Sequence, residues 1–282
     1  MNFLRQLAGE LRKLFSRRRT YIGYAVFLAM ELLILFVFKL ERSQRAMRNL
    51  VEQNGLGFDD YYSSLTITHW IMSLSMFLLG SIYFALVAGD IVAKEAEDGN
   101  LRLVLARPVS RLRILLLKYA AISIYTITFV LFVGVTGYAM AVAALGWDGG
   151  LFVWNYEMKV FAVYPTWGEG IVRVILEGIA MGISMVTLSS IAFMFSCFRM
   201  KPAAATIMAL SVLFVDFVLL RFPFFQPYQE YFVTWRMSCC IYVMENTISW
   251  AKLASAYAFL FGLNATLFLI GYTAFRLRDF KT

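Results

Sequence analysis

The sequence predicts an all-α membrane protein, a polytopic bundle of six transmembrane helices with an N-terminal interfacial helix and a short helix between two spans. Hydrophobic residues make up 61% of the 282 residues and charged residues only 16%, an apolar share well beyond that of soluble domains. Apolar runs of about 20 residues recur along the chain, and each is long enough to cross the hydrocarbon core of a bilayer. We therefore expect residues 1–282 to form a single transmembrane domain.

Residues 1–19 are predicted to form an amphipathic helix that lies in the membrane interface. The apolar residues that recur at helical spacing are Phe3, Leu4, Leu7, Leu11, Leu14 and Phe15. Arg and Lys fill the other faces of the helix, which places these cations near anionic lipid head groups. A secretory signal would have a shorter apolar core and a small-residue cleavage site, so we expect an uncleaved anchor. The alternative is a plain basic tail in the cytoplasm.

Six apolar segments are predicted to span the membrane. They are residues 21–40, 67–92, 114–145, 170–198, 203–220 and 251–275. Residues 41–66 and 146–168 are predicted loops, the first polar and the second rich in aromatic residues. The segment 221–250 is apolar but is broken by Pro223 and Pro227, so it either remains outside the membrane or enters it without crossing.

The distribution of charge and tryptophan predicts how the spans are oriented. If the N-terminus is cytoplasmic, the inner segments contain most of the 26 Lys and Arg residues, as the positive-inside rule requires for short loops. The tryptophans then all fall on the outer side, where indole rings favour the interface; they are Trp70, Trp147, Trp154, Trp167, Trp235 and Trp250. We therefore expect both termini in the cytoplasm. Most of the net charge of +8 then faces the cytoplasm, which argues against a nucleic-acid partner.

The segment 89–113 is densely charged and lies between two long apolar runs. Acidic residues come first, then a Gly99-Asn100 break, then a short apolar and basic piece. Asn100 can cap that piece as a helix, and Pro108 ends it because the residue before a proline is pushed out of the α region. Ser110 can cap the next helix. A helix of about two turns is marginal alone in water, so this one is predicted to dock in a groove on a partner. The alternative is a solvated turn.

This segment resembles the one that follows the second span in type-2 permease subunits of ATP-binding-cassette (ABC) exporters. The residues that carry the resemblance are Glu95, Gly99, Leu101, Leu105, Pro108-Val109-Ser110-Arg111 and Lys118. Asn100 stands where threonine or serine is usual, which exchanges one helix-capping residue for another. In that family the segment is the coupling helix and is seated on a separate ATPase subunit. The residues that the resemblance assigns to ATPase binding are Glu95, Gly99, Asn100, Leu101, Arg102, Leu105, Arg107 and Pro108.

The resemblance also implies what the protein does and what it works with. It implies a non-catalytic transport subunit of the plasma membrane, a bacterial inner membrane, that pairs with a cytoplasmic ATPase and with a second copy of itself or a related permease. ATP and Mg²⁺ would be bound by that ATPase and not by this chain. The substrate stays open, since family members export lipids, peptides, antibiotics or ions, or assist the maturation of metalloenzymes outside the cytoplasm.

Residue types that carry catalytic or metal chemistry are sparse. His69 is the only histidine. We therefore expect neither a histidine metal cluster nor a Ser-His catalytic arrangement within one chain. The sequence has no glycine-lysine loop that would cradle a phosphate, so ATP hydrolysis by that mechanism is not expected here. The cysteines Cys197, Cys239 and Cys240 are predicted to fill the core.

Four of the charged residues within predicted spans are candidates for an intramembrane polar role: Glu31, Arg173, Glu177 and Asp216. Glu31, Glu177 and Asp216 would each cost about 3 kcal/mol if they faced lipid, so they are predicted to face protein or a wet cavity. Arg173 and Glu177 are four residues apart and are predicted to pair on one face of a helix. Two roles stay open for these residues: hydrogen bonding inside the bundle, or a place on the transport path.

Two other classes of protein must be weighed. A self-contained secondary carrier or channel would be expected to show internal repeats and interrupted helices, and no repeat relates the two halves of this sequence. An intramembrane aspartyl protease would need two facing aspartates, for which Asp90 and Asp216 are the candidates. Asp90 lies at a membrane edge, and neither residue has the glycine-flanked setting of such enzymes.

Overall fold

The computed structural model describes residues 3–101 and 109–278. The helices in chain order are α1 (Phe3–Phe15), α2 (Arg18–Lys39), α3 (Glu41–Gln53), α4 (Phe58–Tyr61), α5 (Ser64–Ser75), α6 (Ser81–Glu97), α7 (Arg111–Leu145), α8 (Trp167–Cys197), α9 (Pro202–Leu220), α10 (Val233–Ser238) and α11 (Trp250–Leu277). A π-helical turn, Met76–Gly80, joins α5 to α6, and two 3-10 segments, Pro223–Tyr231 and Cys239–Met244, flank α10. The architecture is the predicted all-α polytopic bundle.

Five of the described helices are long and apolar enough to cross a membrane: α2, α7, α8, α9 and α11. They correspond to the first, third, fourth, fifth and sixth predicted spans. The second predicted span is helical over residues 64–97, but the π-helical turn divides it into helices of 12 and 17 residues. Neither half reaches the roughly 20 residues that a crossing requires, whereas the two halves together exceed that length.

The central helix of the bundle is α8, which packs against α5, α6, α7, α9 and α11. Small residues let its neighbours approach closely. A Cβ atom on Gly182 would lie only 3.3 Å from the Cα atom of Ile127 in α7. A Cβ atom on Gly178 would lie 3.4 Å from the side chains of Leu131 and Met72. These glycines therefore serve helix packing within the chain.

The two predicted loops contain regular structure that the sequence analysis missed. Residues 41–53 form α3, which buries Met47 and Val51 one turn apart. Residues 151–164 form an antiparallel hairpin of β1 (Leu151–Asn155) and β2 (Val160–Tyr164), which pairs Leu151 with Tyr164. Both segments are short amphipathic stretches whose partners are distant in sequence. The structure of both segments therefore depends on packing against the bundle, which the local composition does not reveal.

The segment 221–250 folds as α10 and the two 3-10 segments, without a helix long enough to span a membrane. Its last part, Cys239–Met244, is buried against α8 and α11. The thiols of Cys197, Cys239 and Cys240 are free and buried, which confirms the prediction that they fill the core. Burial raises the pKa of Cys239 to about 11, so this thiol remains protonated at neutral pH and is a poor nucleophile.

Candidate coupling site and the buried charges

The chain reverses sharply between α6 and the predicted short helix. The N–H of Asp98 donates to the carbonyl of Lys94 at 2.9 Å, and Gly99 then adopts φ +74°. This left-handed conformation closes a helix end and is readily adopted by glycine, which has no Cβ atom. Helical backbone resumes at Asn100 and Leu101, which confirms the predicted break at Gly99-Asn100.

The far side of the segment begins α7 as predicted. The hydroxyl of Ser110 accepts a hydrogen bond from the N–H of Arg113 at 3.3 Å, which is the contact of a helix N-cap. The residues Arg102, Leu105, Arg107 and Pro108 lie outside the described residues. Their assignment to ATPase binding therefore stays a prediction.

Leu101 lies inside the chain and not on its surface. Its side chain is 0% exposed and belongs to the same buried apolar cluster as Leu14 of α1 and Leu115 of α7. The sequence analysis assigned Leu101 to ATPase binding; the structure places its side chain in this cluster, and the assignment stays a prediction. Asn100 is exposed, so it is the described residue of this helix start that a partner can reach.

Glu95 is also engaged within the chain. Its carboxylate lies 2.6 Å from the ammonium nitrogen of Lys118, and the carboxylate of Glu10 lies 3.1 Å from the same nitrogen. Lys13 in turn contacts Glu10 at 2.6 Å. Only 3% of the Lys118 side chain is exposed, so its buried charge is paired with carboxylates, as burial requires, and Lys13 supplies the second positive charge that balances the two acids. We call these four residues the Lys118 cluster. Glu95 therefore fixes the end of α6 to α7, and its assignment to ATPase binding stays a prediction.

The Lys118 cluster draws the N-terminal helix into the bundle. Gln6 accepts a hydrogen bond from Arg113 at 3.0 Å, and Leu14 is buried with the core. The expectation that the apolar stripe of α1 faces the membrane is only partly right, since Leu14 packs inward and Leu4 is 69% exposed. The signal that could have revealed this is Glu10, a lone acid within α1, whose partner lies 108 residues away.

The predicted pair between Arg173 and Glu177 does not form. Glu177 instead lies 2.8 Å from Nδ1 of His69, which joins α8 to α5, and the side chains of His69 and Glu177 are only 4% and 0% exposed. Arg173 turns outward and donates to the carbonyls of Val243 at 2.9 Å and Asn246 at 3.1 Å.

The other two acids within predicted spans, Glu31 and Asp216, have separate partners. Glu31 is fully buried and accepts a hydrogen bond from Thr136 of α7 at 3.0 Å. Asp216 accepts hydrogen bonds from the N–H groups of Val233 at 3.1 Å and Thr234 at 2.8 Å, so it caps the start of α10 from the neighbouring helix. Asp90 pairs with Arg19. Among the described residues, no contact joins any two of these acids, and the candidate aspartate pair of a protease is not assembled.

Asp216 provides a direct test of its capping role. We expect Asp216→Ala to lower stability by about 1 kcal/mol, since it leaves the first N–H groups of α10 without their acceptor. Hydrogen exchange should speed up in residues 233–238 and stay unchanged in α8. Asp148→Ala, which removes an exposed acid, is the matched control and should change neither. Equal exchange of residues 233–238 in the two variants would contradict the capping role.

These observations define a multi-pass membrane protein in which buried charges bind one another and a tight turn at Gly99 ends α6. The chain belongs to the ABC-2 family transporter protein family, which matches residues 8–271. Comparison with curated proteins finds no match. The protein is therefore a membrane permease of an ABC transporter, and such permeases are generally non-catalytic. The family in general associates with a cytoplasmic ATPase and dimerises.

The described residues hold no group of three or more His, Cys, Asp or Glu side chains placed to bind a metal ion. At the end of the bundle that contains Asn100, the shape is set by the left-handed turn at Gly99, the helix cap of Ser110 and the ion pairs of the Lys118 cluster.

Proposed function

We propose that this chain is the transmembrane permease subunit of an ABC exporter and that it works with a separate cytoplasmic ATPase. ATP and Mg²⁺ are then bound by the ATPase. Two permease chains, identical or related, form the transport path between them. The chain resides in the plasma membrane, a bacterial inner membrane, as one transmembrane domain with both termini in the cytoplasm.

The observation that carries this proposal is the turn at Gly99 between α6 and α7, in a chain of the ABC-2 family. Gly99 ends α6 before the predicted coupling helix, Ser110 caps α7 after it, and Leu101 is buried in the core at the predicted start. Movement of the ATPase against this helix is transmitted to α6 and α7 because the Lys118 cluster holds both helices together. The same cluster extends the coupled unit to α1.

Mutation of Asn100 tests the ATPase contact. We expect Asn100→Trp to reduce the ATPase that co-purifies in mild detergent by roughly tenfold, because a bulky side chain at an interface readily costs the corresponding 1.4 kcal/mol. Asn100→Ser keeps the capping group and should retain the ATPase. Gln53→Trp places the same bulk on an exposed residue at the other end of the bundle and is the control.

Two outcomes would contradict the proposal. Wild-type protein that purifies from native membranes without an ATPase would favour a self-contained carrier or channel. If the Asn100→Trp variant co-purifies with as much ATPase as the wild type, the ATPase does not contact this helix at Asn100. Measurement of the folded yield of each variant separates either result from misfolding.

A further inference from the structure

A recess of about 580 Å³ opens between the start of α2 and the end of α6. We call it the basic recess, and the residues that define it are Arg17, Arg18, Arg19, Asp90, Lys94 and Asp98. Its volume lies within the roughly 300–1,000 Å³ of small-molecule sites. It is lined mainly by charged side chains, so its ligand must be charged.

The basic recess carries positive charge that the chain does not neutralise. Arg19 pairs with Asp90, and Glu95, which also lines the recess, is held by Lys118. Within the described ranges, no carboxylate lies within 4.0 Å of Arg17, Arg18 or Lys94. The remaining acid, Asp98, is exposed at the rim. Three cations against one acid favour an anion, and guanidinium groups bind phosphate oxygens in a planar, bidentate way.

The apolar surface beside the recess indicates what kind of anion this is. The candidate span Arg18–Lys39 begins at the recess. Tyr21 and Ile22 lie one turn or less beyond the arginines, after the buried Thr20, and are 64% and 61% exposed. A ligand in the recess therefore has a charged site for its head and an apolar helix face for its tail. A soluble phosphate would use only the first of these surfaces.

We propose that the basic recess binds the phosphate of an anionic phospholipid whose acyl chains lie along the exposed face of α2. Basic pockets between helices at a membrane surface are typical sites for such head groups. The bound lipid connects the start of α2 to the end of α6, one turn before Gly99. The geometry is the same for either orientation of the bundle, so this inference does not depend on the proposed partner.

Native mass spectrometry of the delipidated full chain tests the site, with phosphatidylglycerol or phosphatidylcholine added back. Wild-type protein should retain phosphatidylglycerol in preference to phosphatidylcholine. Arg17→Gln with Arg18→Gln should reduce the retained phosphatidylglycerol roughly tenfold or more, given the contribution of each cation near a head group. Arg17→Lys with Arg18→Lys keeps the charge and should retain more lipid than the glutamine pair.

The matched control is Arg5→Gln with Arg12→Gln, which removes the same charge from exposed positions on α1 outside the recess. This control should retain clearly more phosphatidylglycerol than the Arg17→Gln, Arg18→Gln pair, because it leaves the recess intact. Equal losses in the two glutamine pairs, or no loss in either, would overturn the site. Competition by free glycerol phosphate at equal concentration would assign the recess to a soluble anion instead. If the Arg17→Gln, Arg18→Gln variant keeps its lipid but loses the bound ATPase, the basic recess is a contact for a protein partner instead.

Discussion

Lys118→Met is expected to destabilise the protein more than any other single change at this end of the bundle. The substitution leaves the carboxylates of Glu10 and Glu95 close together with no buried cation between them. Breaking a buried ion pair by removal of one partner costs about 3 kcal/mol or more, although the partial exposure of both acids reduces this cost. The measurement is the melting temperature of the purified permease in detergent.

Two variants make this result specific. Lys13→Met removes a lysine that also contacts Glu10 but is 53% exposed, so its cost should stay within about 1 kcal/mol. Combining Lys118→Met with Glu10→Gln and Glu95→Gln removes the uncompensated charge and should restore much of the lost stability. Equal effects of the Lys13 and Lys118 changes would contradict the account of the cluster.

The Lys118 cluster also makes stability depend on pH. Burial by itself would raise the pKa of Glu10, but Lys118 and Lys13 beside it hold that pKa below its ordinary value. A carboxylate with a lowered folded-state pKa stabilises the protein fully above its unfolded pKa of about 4.3. This stabilisation is lost as the pH falls through the lower, folded value. Lys118→Met should reduce this part of the acid dependence.

His69 and Glu177 are expected to give the second large effect. Glu177→Leu leaves a buried imidazole without its partner, and His69→Leu leaves a buried carboxylate without its partner, so each should cost about 3 kcal/mol. Glu177→Gln keeps an acceptor for the imidazole N–H and should be tolerated. The double change to leucine should cost less than the sum of the single changes, because it leaves neither group unpaired.

A double-mutant cycle on the free energy of unfolding measures this coupling. Additive costs would show that the two residues do not stabilise each other. Stimulated ATP turnover of the complex separates the two roles left open for Glu177. Normal folded yield with lost stimulation in Glu177→Gln would place Glu177 on the transport path and contradict a structural role.

The sequence predicts those features of the fold that depend on nearby residues. Runs of apolar residues predict the spans because a membrane requires a minimum helix length. Gly99 and Ser110 predict the ends of helices because backbone geometry and capping are local. A carboxylate at position 177 is predictable as buried, since exposure to lipid is costly.

Partners that are distant in the sequence could not be predicted from the sequence alone. Spacing favours Arg173 as the partner of Glu177, but His69, which is 108 residues away, occupies that role. In the same way, Leu101 and Glu95 resemble docking residues by pattern, yet α1 and α7 cover them. A single sequence does not record which of several buried polar groups will meet, because tertiary packing decides between them.

The π-helical turn between α5 and α6 divides the second predicted span into two halves that are rotated relative to each other about the helix axis. Such a turn contains one residue more than an α-helical turn, and one residue corresponds to about 100° of rotation around the helix axis. Because of this rotation, His69 of α5 can face Glu177 of α8 while Glu95 of α6 faces Lys118 of α7. A straight α-helix of the same sequence could not direct both side chains at these partners. Tightening this turn to an α-helical one would rotate the Glu95 end of α6 about its own axis relative to α5, with only a small shift along that axis.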